Sequence, residues 1–199
     1  MAIMSIGKAG PPAERLTTED LARMPDDGRR YELAEGKLDV SPAPVFMHTL
    51  IEGRLCTHLA NSAPPEFVVL PGAGIDLNAD RTRHRIPDLA VIRQRDADQP
   101  YLTRPPALAV EVVSPESVLR DTHTKRQEYA EFGIESYWIV DPAPDKTGIL
   151  ALRLEDGCYV EAAQAHGEDV LEADLPFPVR IAPHWLTAEG DWRQRIAGE

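Results

Sequence analysis

Two near-continuous apolar runs dominate the middle of the chain. Residues 85–92 and 107–113 are rich in β-branched side chains and bounded by polar or proline-containing segments. That pattern predicts two central strands covered on both faces. Pro87 removes a backbone donor, so Asp88 is expected where a strand opens rather than deep within it. Over residues 117–132 the pattern turns helical. Asp121, Lys125 and Tyr129 form one stripe, and Gly133 stands where a left-handed cap would end the helix. Residues 137–140 read as another buried strand. Strand, helix and strand in this order predict a right-handed βαβ unit with parallel strands.

Shorter signals surround this unit. Thr17 or Thr18 can cap a brief helix, and residues 31–33 and 37–40 can pair as a hairpin across Glu35-Gly36. Residues 45–60 predict an amphipathic helix with Ile51, Leu55 and Leu59 on one stripe and His48 beside it. Residues 67–70 and 74–77 read as strands, and 149–154 with 159–162 as a second hairpin through Asp156-Gly157. The expected fold class is α/β, a mixed sheet flanked by helices with additional β-hairpins.

The chemistry sits at the strand ends. An ionised carboxylate in a buried strand is costly without a cation or donors to meet it, so Asp88 and Glu111 need partners. Two carboxylates converging there would repel each other, and a divalent cation removes the repulsion; oxygen ligands of this kind suit Mg²⁺. The parallel crossover returns the helix N-terminus to the carboxyl end of the Glu111 strand, within reach of the Lys125 ammonium. Spacing alone leaves a bland alternative equally open, a surface ion pair between Asp121 and Lys125 worth about 0.3–0.5 kcal/mol.

Charge narrows the partners. The formal net charge of −12 over 199 residues opposes a broad grip on nucleic acid. Its distribution is uneven: nine acids face only Lys146 and Arg153 between 141 and 175, whereas Arg81, Arg83, Arg85, Arg93 and Arg95 accompany Asp88 alone between 81 and 95. Arg81, Arg83 and Arg85 suit a phosphate-contacting loop and a solvated strand face equally. No apolar stretch reaches membrane-spanning length and the N-terminus has no secretion-type run, so a cytoplasmic protein without a membrane partner is expected. Cys56 and Cys158 lack zinc-ligand spacing. Residues 1–15 are expected to form a flexible tail ahead of a single domain, 16–199.

The ordered set Tyr31-Glu32-Leu33, Glu35-Gly36, His48, Pro87-Asp88, Glu111-Val112-Val113-Ser114-Pro115, Asp121 with Lys125 and Tyr129, and Gly133 before Tyr137-Trp138-Ile139-Val140-Asp141-Pro142 resembles the Uma-type restriction endonuclease family. That family was long catalogued as a domain of unknown function and belongs to the PD-(D/E)XK nuclease superfamily. The resemblance covers roughly residues 17 to 185. It implies a restriction-endonuclease-like fold and a Mg²⁺- or Mn²⁺-dependent endonuclease acting on nucleic acid, with DNA the expected substrate. By resemblance, Asp88 and Glu111 are metal ligands, with the Val112 carbonyl a further one. Glu32 is an additional catalytic acid, and Lys125 stands in for a lysine that the wider superfamily carries at the position of Val113. His48 and Tyr129, with Arg81, Arg83 and Arg85 from the charge pattern, are candidate substrate contacts, and His48 beside the apolar stripe equally suits a packed, hydrogen-bonded histidine. A nuclease-fold binding module without turnover, a small-nucleotide phosphodiesterase and a homodimeric assembly all stay open.

Overall fold

In the computed structural model the described residues are 15–114, 117–143 and 146–198. The expected tail therefore lies almost wholly outside them. The chain runs through α1 (Thr18–Leu21), the hairpin β1 (Arg30–Ala34) and β2 (Lys37–Ser41), α2 (Phe46–Ser62), β3 (Phe67–Pro71), β4 (Ile75–Asp76), β5 (His84–Arg85) and β6 (Leu89–Arg93). Then come β7 (Leu108–Val112), α3 (Lys125–Phe132), β8 (Ser136–Asp141), the hairpin β9 (Gly148–Glu155) and β10 (Cys158–His166), β11 (Leu171–Ala173), β12 (Val179–Ile181) and α4 (Trp192–Arg195).

A six-stranded sheet in the order β10-β9-β8-β7-β6-β3 forms the centre, and β2-β1-β5-β4 form a second sheet. The central sheet is mixed: β7 and β8 are parallel, as the βαβ reading requires, and every other pair is antiparallel. Strand alternation sends Leu108, Val110 and Val112 of β7 to one face, where Ile51, Leu55 and Leu59 of α2 pack on them. Fully burying each of those three side chains contributes roughly 1.5–3 kcal/mol. The opposite face carries Ala109, Tyr137 and Ile139 against Tyr129 of α3. Glu111 shares the period of Ala109 and Val113, so it points toward α3.

Two expectations change. Residues 85–92 are not one strand: β5 belongs to the small sheet and β6 to the large one. The break has a backbone cause. Pro87 has no donor, the Ile86 N–H donates to Glu32 Oε1 instead of a ladder (2.8 Å), and the Asp88 carbonyl accepts from Gly72 (3.0 Å). The helix over 117–132 is also irregular, because a π-helical stretch, Arg120–Thr124, precedes α3. Such wide turns often mark functional segments. The cap is as expected, with Gly133 at φ +93° and its N–H donating to Tyr129 and Ala130 carbonyls.

Candidate functional site

Asp88 sits at the junction of the two sheets and is 1% exposed. Its Oδ2 accepts the Val112 N–H at 2.7 Å, which binds the mouth of β6 to the end of β7. Its Oδ1 meets Arg30 Nη1 at 2.5 Å and lies 3.1 Å from His48 Nε2. Burial alone would raise this carboxyl's pKa, but the His48 ring and the Arg30 guanidinium outweigh it and hold the value down to about 2. Asp88 is therefore ionised throughout the neutral range.

Glu111 lies one strand over and is 3% exposed. Lys125 Nζ and the Tyr129 hydroxyl both donate to its Oε1, at 2.8 and 2.7 Å. Lys125, 2% exposed, also reaches Glu32 Oε1 at 3.1 Å and lies 3.9 Å from Asp121 Oδ1. The bland reading of Asp121 and Lys125 as a surface pair is thus overturned, because both are buried. Burial, together with the charges of Asp88, Asp121 and Glu32, outweighs Lys125 and pushes Glu111 up to about 8. Burial would lower the Lys125 pKa, but Glu111, Glu32 and Asp121 raise it, so the ammonium keeps its proton. Glu32 shows the reverse of Glu111: burial raises it, yet the Lys125 and Arg85 charges and the Ile86 N–H bring it below the usual carboxylate range.

These groups open into one cleft of about 390 Å³, lined among others by Arg30, Glu32, His48, Asp88, Glu111 and Lys125. Asp88, Glu111, Lys125, Glu32, Val112 and His48 are all at the cleft, as the sequence led one to expect. The Val112 carbonyl shares a strand residue with the N–H given to Asp88, and in extended backbone the two point the same way.

Four expected substrate contacts are placed elsewhere. Tyr129 is fully buried and spends its hydroxyl on Glu111, so it positions a carboxylate instead of meeting a ligand. Arg85 is buried too, with Nε and Nη2 on Glu128 at 2.6 and 2.9 Å and Nη1 3.3 Å from Glu32. Arg81 pairs with Glu19, and Arg83 with Glu35 and Glu131. None of the four reaches into the cleft lining. Replacing Arg81 and Arg83 by alanine is expected to leave the salt dependence of nucleic-acid binding unchanged. A slope lowered by about 0.9 per arginine would show phosphate contacts after all.

Sequence reasoning missed three residues here. Glu52 stands one helical turn from His48, and ligand atoms of His48, Glu52 and Asp88 all lie within 4.8 Å of one another. The His-x-x-x-Glu spacing on one helix face was the available signal. Arg30 shares the strand face of Glu32 by the period of two, which pointed it at the same site. Asp121, read as a stripe residue and an ion-pair partner of Lys125 but given no place in the site, lines the cleft with its Oδ1 buried and without a hydrogen bond among the described residues.

A family model, Uma2, described as "Putative restriction endonuclease", matches residues 18–189. The chain belongs to that family. No curated protein matches it. Among solved structures, a crystal structure described as a "putative nuclease belonging to DUF820" from Anabaena variabilis is similar at a TM-score of 0.62 and 16% identity, covering 82% of this chain and 89% of that one. At that identity the likeness establishes the fold, a restriction-endonuclease-like α/β architecture. Among the described residues no helix is long and apolar enough to cross a membrane.

Proposed function

We propose that this Uma2 chain is a metal-dependent endonuclease that hydrolyses phosphodiester bonds of nucleic acid, with DNA as substrate, acting in the cytoplasm as a single domain over residues 16–199. One observation carries the reading: a buried lysine held between Glu111, Glu32 and Asp121 beside an ionised Asp88, all at the floor of one cleft. An anionic transition state is served by a preorganised charge that burial keeps from being screened. Lys125 supplies that charge, and Tyr129 with Glu111 fixes its position.

The residues fit a divalent cation. Among the described residues His48 Nε2 is buried with no hydrogen-bond partner of good geometry, and it faces Asp88 with Glu52 nearby. Ligand atoms of His48, Glu52 and Asp88 lie within 4.8 Å of one another, whereas Glu111 already gives its Oε1 to Lys125 and Tyr129 and has Oε2 alone to offer. We therefore assign His48, Glu52 and Asp88 as the primary donors, in place of a site between Asp88 and Glu111 alone. A bound cation would polarise a phosphoryl oxygen and acidify a water. Two carboxylates with one imidazole suit Mn²⁺ as well as Mg²⁺.

Calorimetric titration with Mn²⁺ tests this. His48→Ala, Glu52→Gln and Asp88→Asn are each expected to weaken binding by more than the roughly 10- to 100-fold that loss of a supporting residue costs. Glu111→Gln is expected to weaken it less. If only Asp88→Asn and Glu111→Gln matter, the cation belongs between those two. A second reading, a nuclease-fold binding module without turnover, is favoured by one observation: Asp88 already holds Arg30, and Glu111 already holds Lys125. Wild-type protein that binds no Mn²⁺ would select it.

A further inference from the structure

The arginines of this acidic chain are mostly spent on its own carboxylates, as Arg30 is on Asp88, Arg85 on Glu128 and Arg120 on Asp39. Arg54, Arg193 and Arg195 are not. Among the described residues none of the three makes an ion pair, although Glu189 and Asp191 stand in the same C-terminal segment. Contacts gather them onto two indoles. The guanidinium carbons of Arg54 and Arg193 lie 5.2 and 4.9 Å from the centre of the Trp192 ring, and that of Arg195 lies 5.1 Å from the centre of the Trp185 ring. Arg54 Nη1 also donates to the Trp185 and Ala188 carbonyls, at 3.0 and 2.7 Å, which ties α2 to this segment.

Arg54 and Arg193 share one ring and repel each other. Burial and the charge of Arg193 lower the Arg54 pKa, and Arg54 Nε is buried without a hydrogen-bond partner among the described residues. Arg193 and Arg195 are exposed, and they lie beyond the residues, 18–189, that match the family model. A guanidinium resting on an aromatic face keeps its N–H edges free, and the stacking fixes those donors before a ligand arrives. Forked donors of this kind match the oxygens of a phosphate group.

The patch sits around α2 from the cleft. Helical spacing puts His48 and Glu52 on one flank of the buried stripe Ile51, Leu55 and Leu59 and Arg54 on the other, roughly 9 Å along the axis from His48. Between the flanks the outward face carries the exposed Thr49, Gly53 and Ala60, and Glu52 is the sole acid of α2. A polyanion leaving the cleft can follow that face to the arginines without passing another carboxylate of the helix. At the cleft itself Arg30 and Lys125 are already neutralised by acids, so the grip on flanking phosphates has to come from elsewhere.

We propose that Arg54, Arg193 and Arg195, seated on Trp185 and Trp192, form an exosite for the phosphate backbone of nucleic acid, holding the substrate at a distance from the scissile diester. The assignment rests on the nuclease reading and adds to it a second place where the polymer is held.

Fluorescence anisotropy tests it, with a fluorescein-labelled DNA duplex of about 20 base pairs and Ca²⁺ in place of Mg²⁺ to suppress cleavage. The double variant Arg193→Gln/Arg195→Gln is expected to bind more weakly and to flatten the salt dependence by about 0.9 for each lost phosphate contact. Arg193→Lys/Arg195→Lys is expected to keep the wild-type slope, because a lysine still displaces a counterion. Arg81→Ala/Arg83→Ala removes the same charge from arginines that pair with Glu19, Glu35 and Glu131, and is expected to leave the slope alone. Metal-dependent hydrolysis of bis(p-nitrophenyl) phosphate, too small to span cleft and patch, is expected to match wild type in all three. An unchanged slope in the glutamine pair, or an equal loss in Arg81→Ala/Arg83→Ala, overturns the proposal. So does a glutamine pair that loses binding to poly-L-glutamate and keeps it to the duplex, since the patch would then serve an acidic protein. Absence of bis(p-nitrophenyl) phosphate hydrolysis in the wild type would instead remove the nuclease reading, and the slopes would still report on the patch.

Discussion

Lys125→Met is expected to lower stability by roughly 3–5 kcal/mol, the usual result of breaking a buried ion pair from one side. It is also expected to cut metal-dependent turnover on the order of 100-fold or more. The two effects share one origin. Methionine fills the space of the lysine stem but leaves Glu111, Glu32 and Asp121 facing one another without the ammonium that lies 2.8, 3.1 and 3.9 Å from their oxygens. A lysine on a solvated helix face would show neither effect. Urea denaturation and single-turnover cleavage separate them, and Lys125→Arg is expected to rescue poorly because a planar guanidinium does not fit a cage shaped around a compact ammonium. Wild-type turnover in Lys125→Met would leave the chemistry to the carboxylates.

Glu111→Gln is expected to make the protein more stable than wild type at about pH 8, by on the order of a few kcal/mol. The sign follows from where the proton resides. The native Glu111 carboxyl keeps its proton up to about 8, whereas an unfolded one releases it near the ordinary 4.5. Between those values the native state binds more protons, so stability falls as pH rises through the window. Glutamine mimics the neutral carboxyl and has no proton to lose, so the variant's stability profile flattens there. Asp88 acts in the opposite sense at lower pH: its depressed pKa of about 2 gives stability that is present above about 3.8 and fades as acid protonates it. Denaturant midpoints measured across the range check both. A Glu111→Gln profile parallel to wild type would show that Glu111 is already ionised in the folded protein.

The parts of this architecture that were legible in the sequence are those governed by local spacing. The βαβ unit followed from apolar runs bracketing a helical stripe and a capping glycine, and the placement of Asp88, Glu111 and Lys125 followed from it. What escaped depends on partners far away in the chain. Alternating arginines at 81, 83 and 85 look the same whether they face water or acids, and Arg85 meets Glu32 and Glu128 at separations of 53 and 43 residues. The division of residues 85–92 between two sheets was invisible for a related reason. An apolar run does not reveal that Ile86 gives its N–H to a glutamate side chain instead of a neighbouring strand. Glu52 was legible in principle, one turn from His48, but nothing local says that a helix stripe faces a carboxylate on another element.

The hydrogen bond from the Val112 N–H to Asp88 Oδ2 gives one carboxylate two duties, since the ladder between β6 and β7 ends at Leu89 and Val110 and the Asp88 side chain continues it. Alanine at this position would forfeit both the charge and the splice between strands. Asparagine would forfeit the charge and the contact with Arg30 but keep the splice, because its amide oxygen still accepts from Val112. Descendants of such a protein that abandon hydrolysis therefore have a one-step evolutionary exit that leaves the fold standing, and an asparagine after the proline is the scar it would leave.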